Sequence, residues 1–408
     1  MRKSVLVTAA VLVLAAAGSA AVLVRPSQTV PANTFVAGVA VGGRTDEQLT
    51  TTLEGQVRDK VEQVITAKVG SSVLRIHPAD LGIRLDVAAT RAGIGHSWLR
   101  WPEPARHDVT PVLVVPANAR TALAGRLAEF QQDSRNRSVT LASPRKVLDG
   151  KGDLSYTASR RGVTVDEGRA GRAVDAAAGV RSISEAMRAG RTTVTFAVTA
   201  TEPGDDTPKL AGVDQLIGTF TTYHPCCAPR VTNINRISEL VDGTIIPPGG
   251  TFSLNDTAGE RTSARGFVAA PAIVEGELQD QFGGGVSQFS TTLFNAAWFA
   301  GLDIRTHQPH SLYITRYPPG REATLDWRAI DQIIHNPTDT PIVIRVHSTP
   351  TGITVALYGH TGNRVVDSVT GPRRPVGTGF AIQVRRTITQ DGKETGTDTL
   401  NWTYQGLD

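Results

Sequence analysis

The feature that most restricts how this chain folds is where its aromatic side chains lie. Of 22 Phe, Trp and Tyr residues, six precede residue 216 and sixteen follow it. Aromatic rings dominate the cores that contain them, so a large aromatic core is possible only in the C-terminal half. The N-terminal half is Ala- and Val-rich and must build smaller cores. At 408 residues the chain is long enough for two to three domains. The change from one kind to the other is expected at Glu202-Pro-Gly-Asp-Asp-Thr-Pro208, whose prolines, glycine and acids continue neither a helix nor a central strand.

Charge narrows the function classes. There are 42 basic and 38 acidic residues, and three of the basic ones, Arg2, Lys3 and Arg25, flank the first apolar stretch. The remainder is nearly neutral and carries no basic stripe, so nucleic-acid binding is not expected. Hydrophobic residues make up 40% of the chain, too many for long disorder. Two cysteines supply neither a disulfide framework nor a four-ligand zinc site. No His-x-x-x-His spacing marks another metal site, so neither a metal nor a cofactor is expected.

Ser4–Val24 is uncharged and mostly apolar, preceded by Arg2 and Lys3 and followed by Arg25 and Pro26. As a helix it just spans a bilayer, with the positive flank inside. The sequence therefore predicts a membrane helix over residues 1–26, kept as an anchor or cleaved near Ala17-Gly-Ser-Ala20 as a signal peptide. Its length exceeds the usual signal core, which favours the single-pass anchor. Everything beyond it is expected outside the cytoplasmic membrane, and secreted if the leader is cleaved.

Between that segment and residue 203 the chain carries a weak internal repeat, expected as two small α+β domains over residues 30–116 and 117–203. Leu74 to Asp86 and Leu154 to Asp166 each end in a Gly-apolar-polar-apolar-Asp step, followed by helix-like and then strand-like residues. Asp86 and Asp166 are placed to cap those helices. Each copy opens on an earlier helix, through the capping-box pair Thr45 and Gln48 in the first and Asn118 in the second. Neither copy clusters His, Cys or paired carboxylates, so binding or spacing is expected rather than catalysis.

The chemistry is expected around Phe282-Gly-Gly-Gly-Val-Ser287. Three glycines permit positive φ, and an apolar spacing through Val286, Phe289, Leu293, Ala296 and Ala300 predicts a helix that Gly301 stops. Amides at its N-terminus suit a carboxylate or an activated nucleophile. Gly283, Gly284, Gly285, Gln288 and Asn295 are the candidate ligand-binding residues. A serine at such a position is commonly just a cap; the alternative is a substrate role. Downstream, His307 and His310 share one turn, with Asp326 and Asp331 on strand-like segments. Ser287 as nucleophile, His310 as base and Asp331 or Asp326 as orienter follow the order of papain-like and transglutaminase-like enzymes. Cys226 and Cys227 are adjacent between Pro225 and Pro229. They form either a strained vicinal disulfide or two buried thiols.

Thr222 to about Tyr358 resembles the VanW-like domain, named for an accessory protein of vancomycin-resistance clusters. The matching stretches are Val231-Thr-Asn-Ile-Asn-Arg236, Asp242-Gly-Thr-Ile-Ile-Pro-Pro-Gly-Gly-Thr-Phe-Ser-Leu-Asn255, Gly283-Gly-Gly-Val-Ser-Gln288, Thr292-Leu-Phe-Asn-Ala296, His310-Ser311 and Arg316-Tyr-Pro-Pro-Gly-Arg-Glu-Ala-Thr324. The resemblance implies a cell-envelope protein. The two N-terminal copies, through Gly38-Val-Ala-Val-Gly-Gly43 and the Gly-to-Asp step, resemble the peptidoglycan-binding repeats that precede such domains. Many relatives have Cys where this chain has Ser287. A serine hydroxyl, unlike a thiolate activated by a helix N-terminus, needs a committed base.

The expected fold class is thus α+β: an N-terminal membrane helix, two small α+β repeats, and a larger mixed α+β VanW-like domain over 209–360 with a β-rich extension over 361–408. The expected partners are peptidoglycan or a cell-wall peptide, and the membrane through the N-terminal helix. An acyl-transferring or amide-cleaving enzyme and a structural wall spacer are the alternatives.

Overall fold

The computed structural model describes residues 29–95, 105–225, 229–274 and 277–406. They form two compact units. One holds the described residues up to Asp133 together with Ala170–Thr201; the other holds Ser134–Arg169 and the described residues from Glu202 onward.

In the N-terminal unit, Thr45 and Gln48 exchange side-chain and backbone bonds in a capping box and start the helix Asp46–Thr52. Leu49, Leu53, Val57 and Val61 recur every fourth residue and are all buried. They share a core with a three-stranded sheet in which Ile65–Val69 lies between Ser72–Ile76, antiparallel, and Thr193–Phe196, parallel. Helices Ala119–Leu127 and Ala176–Arg188 add Leu123, Leu127, Ile183 and Met187 to it.

In the second unit a four-stranded antiparallel sheet runs in the order Gln215–Tyr223, Gly352–Gly359, Ile342–Thr349, Ile245–Ile246. The helices Pro229–Val241 and Val286–Phe299 pack against it. Gly218 lets the first strand touch the second helix, since a Cβ there would meet the Ala296 carbonyl oxygen at 2.3 Å. Every residue of Val286–Phe299 is buried except Ser287. A further sheet is built from Leu154–Thr157, Arg364–Thr370, Gly379–Gln390 and Arg374–Val376, with Lys393–Tyr404 paired to Gly379–Gln390 across Asp391 and Gly392.

The expected architecture is corrected on three points. Among the described residues no helix is long and apolar enough to cross a membrane; the segment expected as a membrane helix lies outside the described residues. The second copy of the repeat is not a domain of its own. Its final strand, Thr193–Phe196, joins the N-terminal sheet, whereas Leu154–Thr157 pairs with Arg364–Thr370 and sends Tyr156 into the aromatic core of the other unit. Finally, Asp86 caps its helix by accepting the Ala89 amide at 2.9 Å, but Asp166 does not cap. It closes the Gly168 turn, and Asp175 caps the helix nine residues later. Asn118 stands at the cap position of its helix without a side-chain bond.

Because Phe196 belongs to the N-terminal core, Phe196→Ala should cost that unit about 3–5 kcal/mol. Hydrogen exchange would then speed up in Ile65–Val69 and Ser72–Ile76 while Val286–Phe299 keeps its protection.

Candidate functional site

The Val286–Phe299 helix carries polar residues that burial obliges to find partners. Ser287, Thr291 and Asn295 recur every fourth residue and so form one stripe. Their side chains bond the backbone of residues 321–325. Asn295 Nδ2 donates to the Arg321 carbonyl at 2.8 Å, and Thr291 Oγ1 both donates to the Ala323 carbonyl at 3.2 Å and accepts its amide at 3.1 Å. Ser287 Oγ accepts the Leu325 amide at 3.2 Å and lies 3.3 Å from Thr324 Oγ1. Residues 307–332 hold no helix or strand, yet 317–323 are buried throughout, because the helix satisfies their backbone.

That bonding pattern occupies residues 321, 323 and 325, and it sets Glu322 and Thr324 between them. Glu322 is fully buried, and both of its oxygens are used. One accepts from His310 Nδ1 at 2.6 Å; the other accepts from the Tyr404 hydroxyl. Burying a carboxylate demands such donors. Burial also pushes the Tyr404 hydroxyl well above its ordinary value, so it remains a donor, and it accepts in turn from the Gly320 amide at 2.8 Å. The Trp402 indole donates to the His310 carbonyl at 2.9 Å. With Nδ1 given to Glu322, Nε2 is the ring nitrogen left for the neighbouring cavity.

This cavity is of about 1000 Å³, lined by Gly283, Gly284, Gly285, Ser287, His310 and Tyr317, and by Arg230, Arg261, Arg316 and Arg328. Gly283 and Gly285 have φ of +84° and +103°, and a Cβ on Gly284 would meet the Ala270 carbonyl oxygen at 2.1 Å, so the turn requires glycine. Asn233 pins it by donating to the Gly284 carbonyl at 2.9 Å. Four amides of the turn, those of Gly283, Gly284, Val286 and Gln288, already donate to backbone carbonyls. Those of Gly285 and Ser287 have no partner among the described residues.

None of the four arginines forms an ion pair among the described residues. Arg230 reaches Gln288 Oε1 only at 3.5 Å, and its Nε is buried without a partner. Burial lowers its pKa. Arg261 is buried with its guanidinium on the Gly259 carbonyl and Asn255 Oδ1, and burial pushes it down to about 10 against the pull of Asp331 and Asp326. The lining acids Glu260, Asp280 and Asp326 are exposed. Arg316 and Arg328 are exposed as well, so the mouth carries both signs, and the cations held inward are Arg230 and Arg261. Tyr317, pushed up to about 12 by burial, stays a donor to Gln288 Oε1 at 3.1 Å.

Of the residues proposed from sequence, the cavity gathers Gly283, Gly284, Gly285, Ser287 and His310. Ser287 is not the helix cap, which is Gly285, and its hydroxyl bonds Thr324 and Leu325, not His310. Asp331 does not orient His310. It accepts from Ser253 Oγ at 2.6 Å and from the Asn255 amide at 2.9 Å, fixing a different turn. Asp326 caps the Arg328 and Ala329 amides. Gln288 and Asn295 are fully buried, their side chains bond protein groups, and neither lines the cavity. His307 stacks on Phe294 at 4.5 Å as a packing residue. Cys226 and Cys227 lie outside the described residues. Sequence reasoning missed Glu322, Arg230 and Tyr404. A lone acid in the Gly- and Pro-rich run from Arg316 to Thr324 was the available signal for Glu322; the other two had none.

A glycine turn at a helix N-terminus and a His–carboxylate pair thus share the lining of one polar cavity. The chain matches the VanW-like protein family over residues 229–358, the residues that build this cavity, and so carries a VanW-like domain. It is 37% identical over 158 residues to the uncharacterized protein YoaR of Bacillus subtilis (strain 168), an alignment spanning 38% of this chain and about half, 52%, of that relative. No solved structure matches.

Two outcomes check the site's supports. Thr291→Val leaves the Ala323 amide and carbonyl unpaired and should cost about 1–3 kcal/mol, with faster hydrogen exchange at residues 321–325. Burial pushes His307 down to about 4 from 6.5. The unfolded chain therefore binds more protons within that window, and stability falls as pH drops through it. His307→Phe should remove this part of the loss, read as a smaller fall in urea midpoint between pH 7 and pH 4.

Proposed function

We propose that the VanW-like domain binds a cell-wall stem peptide and that the peptide's carboxylate enters the cavity at the glycine turn. The observation that carries this is Arg230, a half-buried guanidinium with an orphaned Nε and no carboxylate partner. An uncompensated cation in a cavity is costly unless an anion completes it. The free amides of Gly285 and Ser287 and the Nε2 side of His310 add donors on the same lining. A cell-envelope setting agrees with the VanW-like match. The N-terminal unit, through its Gly38–Gly43 segment, is assigned to contact with peptidoglycan.

A second reading is acyl transfer or amide cleavage, favoured by the buried His310–Glu322 pair at 2.6 Å. There Glu322, rather than Asp331, holds the imidazole, and His310 takes the proton from Ser287. Against it stands the Ser287 hydroxyl's engagement with Thr324 and Leu325.

The test is retention of the full chain on purified peptidoglycan and titration with a soluble stem tetrapeptide. Arg230→Gln should weaken tetrapeptide binding by roughly tenfold to a hundredfold, the value of a charged hydrogen bond. No retention and no tetrapeptide binding by the unaltered chain would remove the proposal. Release of peptide fragments that stops in Ser287→Ala would turn the choice to the second reading.

A further inference from the structure

The aromatic residues at the cavity's mouth have no role in holding a carboxylate, yet they are not buried. Phe282 is 53% exposed and Trp327 is 40% exposed, and both line the cavity. Only one other aromatic, Tyr223, is as open to solvent among the described residues. Scattered exposed apolar side chains need no explanation, but two large rings at one cavity mouth mark a contact surface. Arg261 lies over the Trp327 ring at 5.9 Å and helps to hold the indole in place.

Around these rings the mouth is polar. Glu260, Asp280, Gln281 and Asp326 are exposed there, and the Glu260 and Asp280 carboxylates accept no bond among the described residues. An aliphatic ligand would bury those carboxylates without donors, which costs free energy. A sugar ring matches both features. Its C–H face stacks on an aromatic plane while its hydroxyls, at the ring edge, donate to carboxylate and amide oxygens. A cavity of about 1000 Å³ also stands at the upper end of the range for small-ligand sites, larger than a peptide terminus alone fills.

We infer that the mouth, formed by Phe282, Trp327, Glu260 and Asp280, is a saccharide subsite, and that the ligand is a peptide still joined to its amino sugar. The inference rests on the stem-peptide reading above and names the rest of that ligand. The carboxylate lies inward at Arg230 and the sugar outward on the two rings.

Calorimetric titration of the full chain with three probes tests this: a stem tetrapeptide, chitobiose, and a disaccharide–tetrapeptide released from purified peptidoglycan. The conjugate should bind at least about tenfold more tightly than the tetrapeptide. Trp327→Ala and Phe282→Ala should each weaken the conjugate by roughly fivefold to tenfold and leave the tetrapeptide unchanged. Both residues are exposed, so the variants should keep the wild-type circular dichroism and thermal midpoint. A tetrapeptide that binds while the conjugate binds no tighter, with Trp327→Ala indistinguishable from wild type, overturns the saccharide subsite and leaves the stem-peptide reading standing. Failure of all three probes overturns both.

Discussion

A stripe of three polar side chains on a buried helix is the constraint on which the site depends. Ser287, Thr291 and Asn295 sit one turn apart and bond the backbone at residues 325, 323 and 321. Each partner needs the other for part of its bonding. Apart, the buried Thr291 hydroxyl would lose its acceptor and Asn295 one of its two, and residues 307–332 would bury a backbone that has no ladder of its own. Brought together, each satisfies the other. Glu322 then has one position available to it, and His310 follows, because its ring is bonded to Glu322 and its carbonyl to Trp402.

The charge distribution follows from the same packing. Glu322, the fully buried acid of the site, is committed to His310 and Tyr404, so it does not neutralise the cavity's arginines. The other nearby acids are either at the mouth or, like Asp331, tied to a neighbouring turn. What remains inside without an acid close by is the half-buried Arg230 guanidinium, whose Nε has no partner among the described residues. The C-terminal hairpin, which has no motif of its own, contributes Trp402 and Tyr404 to the back of the site and is part of its construction rather than an appendage.

Much of the site was legible because its chemistry is local. The glycine turn, the helix after it and the position of Ser287 near its start depend on neighbours within a few residues, and periodicity and φ preferences report on such neighbours. The partner of His310 was not. Asp326 and Asp331 were chosen by their order after the histidine, and order carries no distance. Glu322 lies nearer to His310 in the chain, but its role appears only when Tyr404 returns 82 residues later to occupy its second oxygen. Gln288 and Asn295 differ for another reason: they are polar and near the glycine turn, but the helix buries every residue except Ser287, and the two lie off the cavity lining. The internal repeat misled in a similar way. In the second copy a further strand, Gly171–Val174, separates Asp166 from the helix, and Tyr156 and Phe196, the large residues of that copy, belong to different cores.

By itself the sequence determined where an aromatic core could form, where the helix of the site begins, and which histidine stands beside it, since these follow from composition and short-range geometry. Only the tertiary structure decided which carboxylate holds that histidine, which arginines go unpaired, and which strands share a sheet. Those outcomes depend on pairing between residues far apart in the chain, and a one-dimensional pattern contains no measure of that proximity.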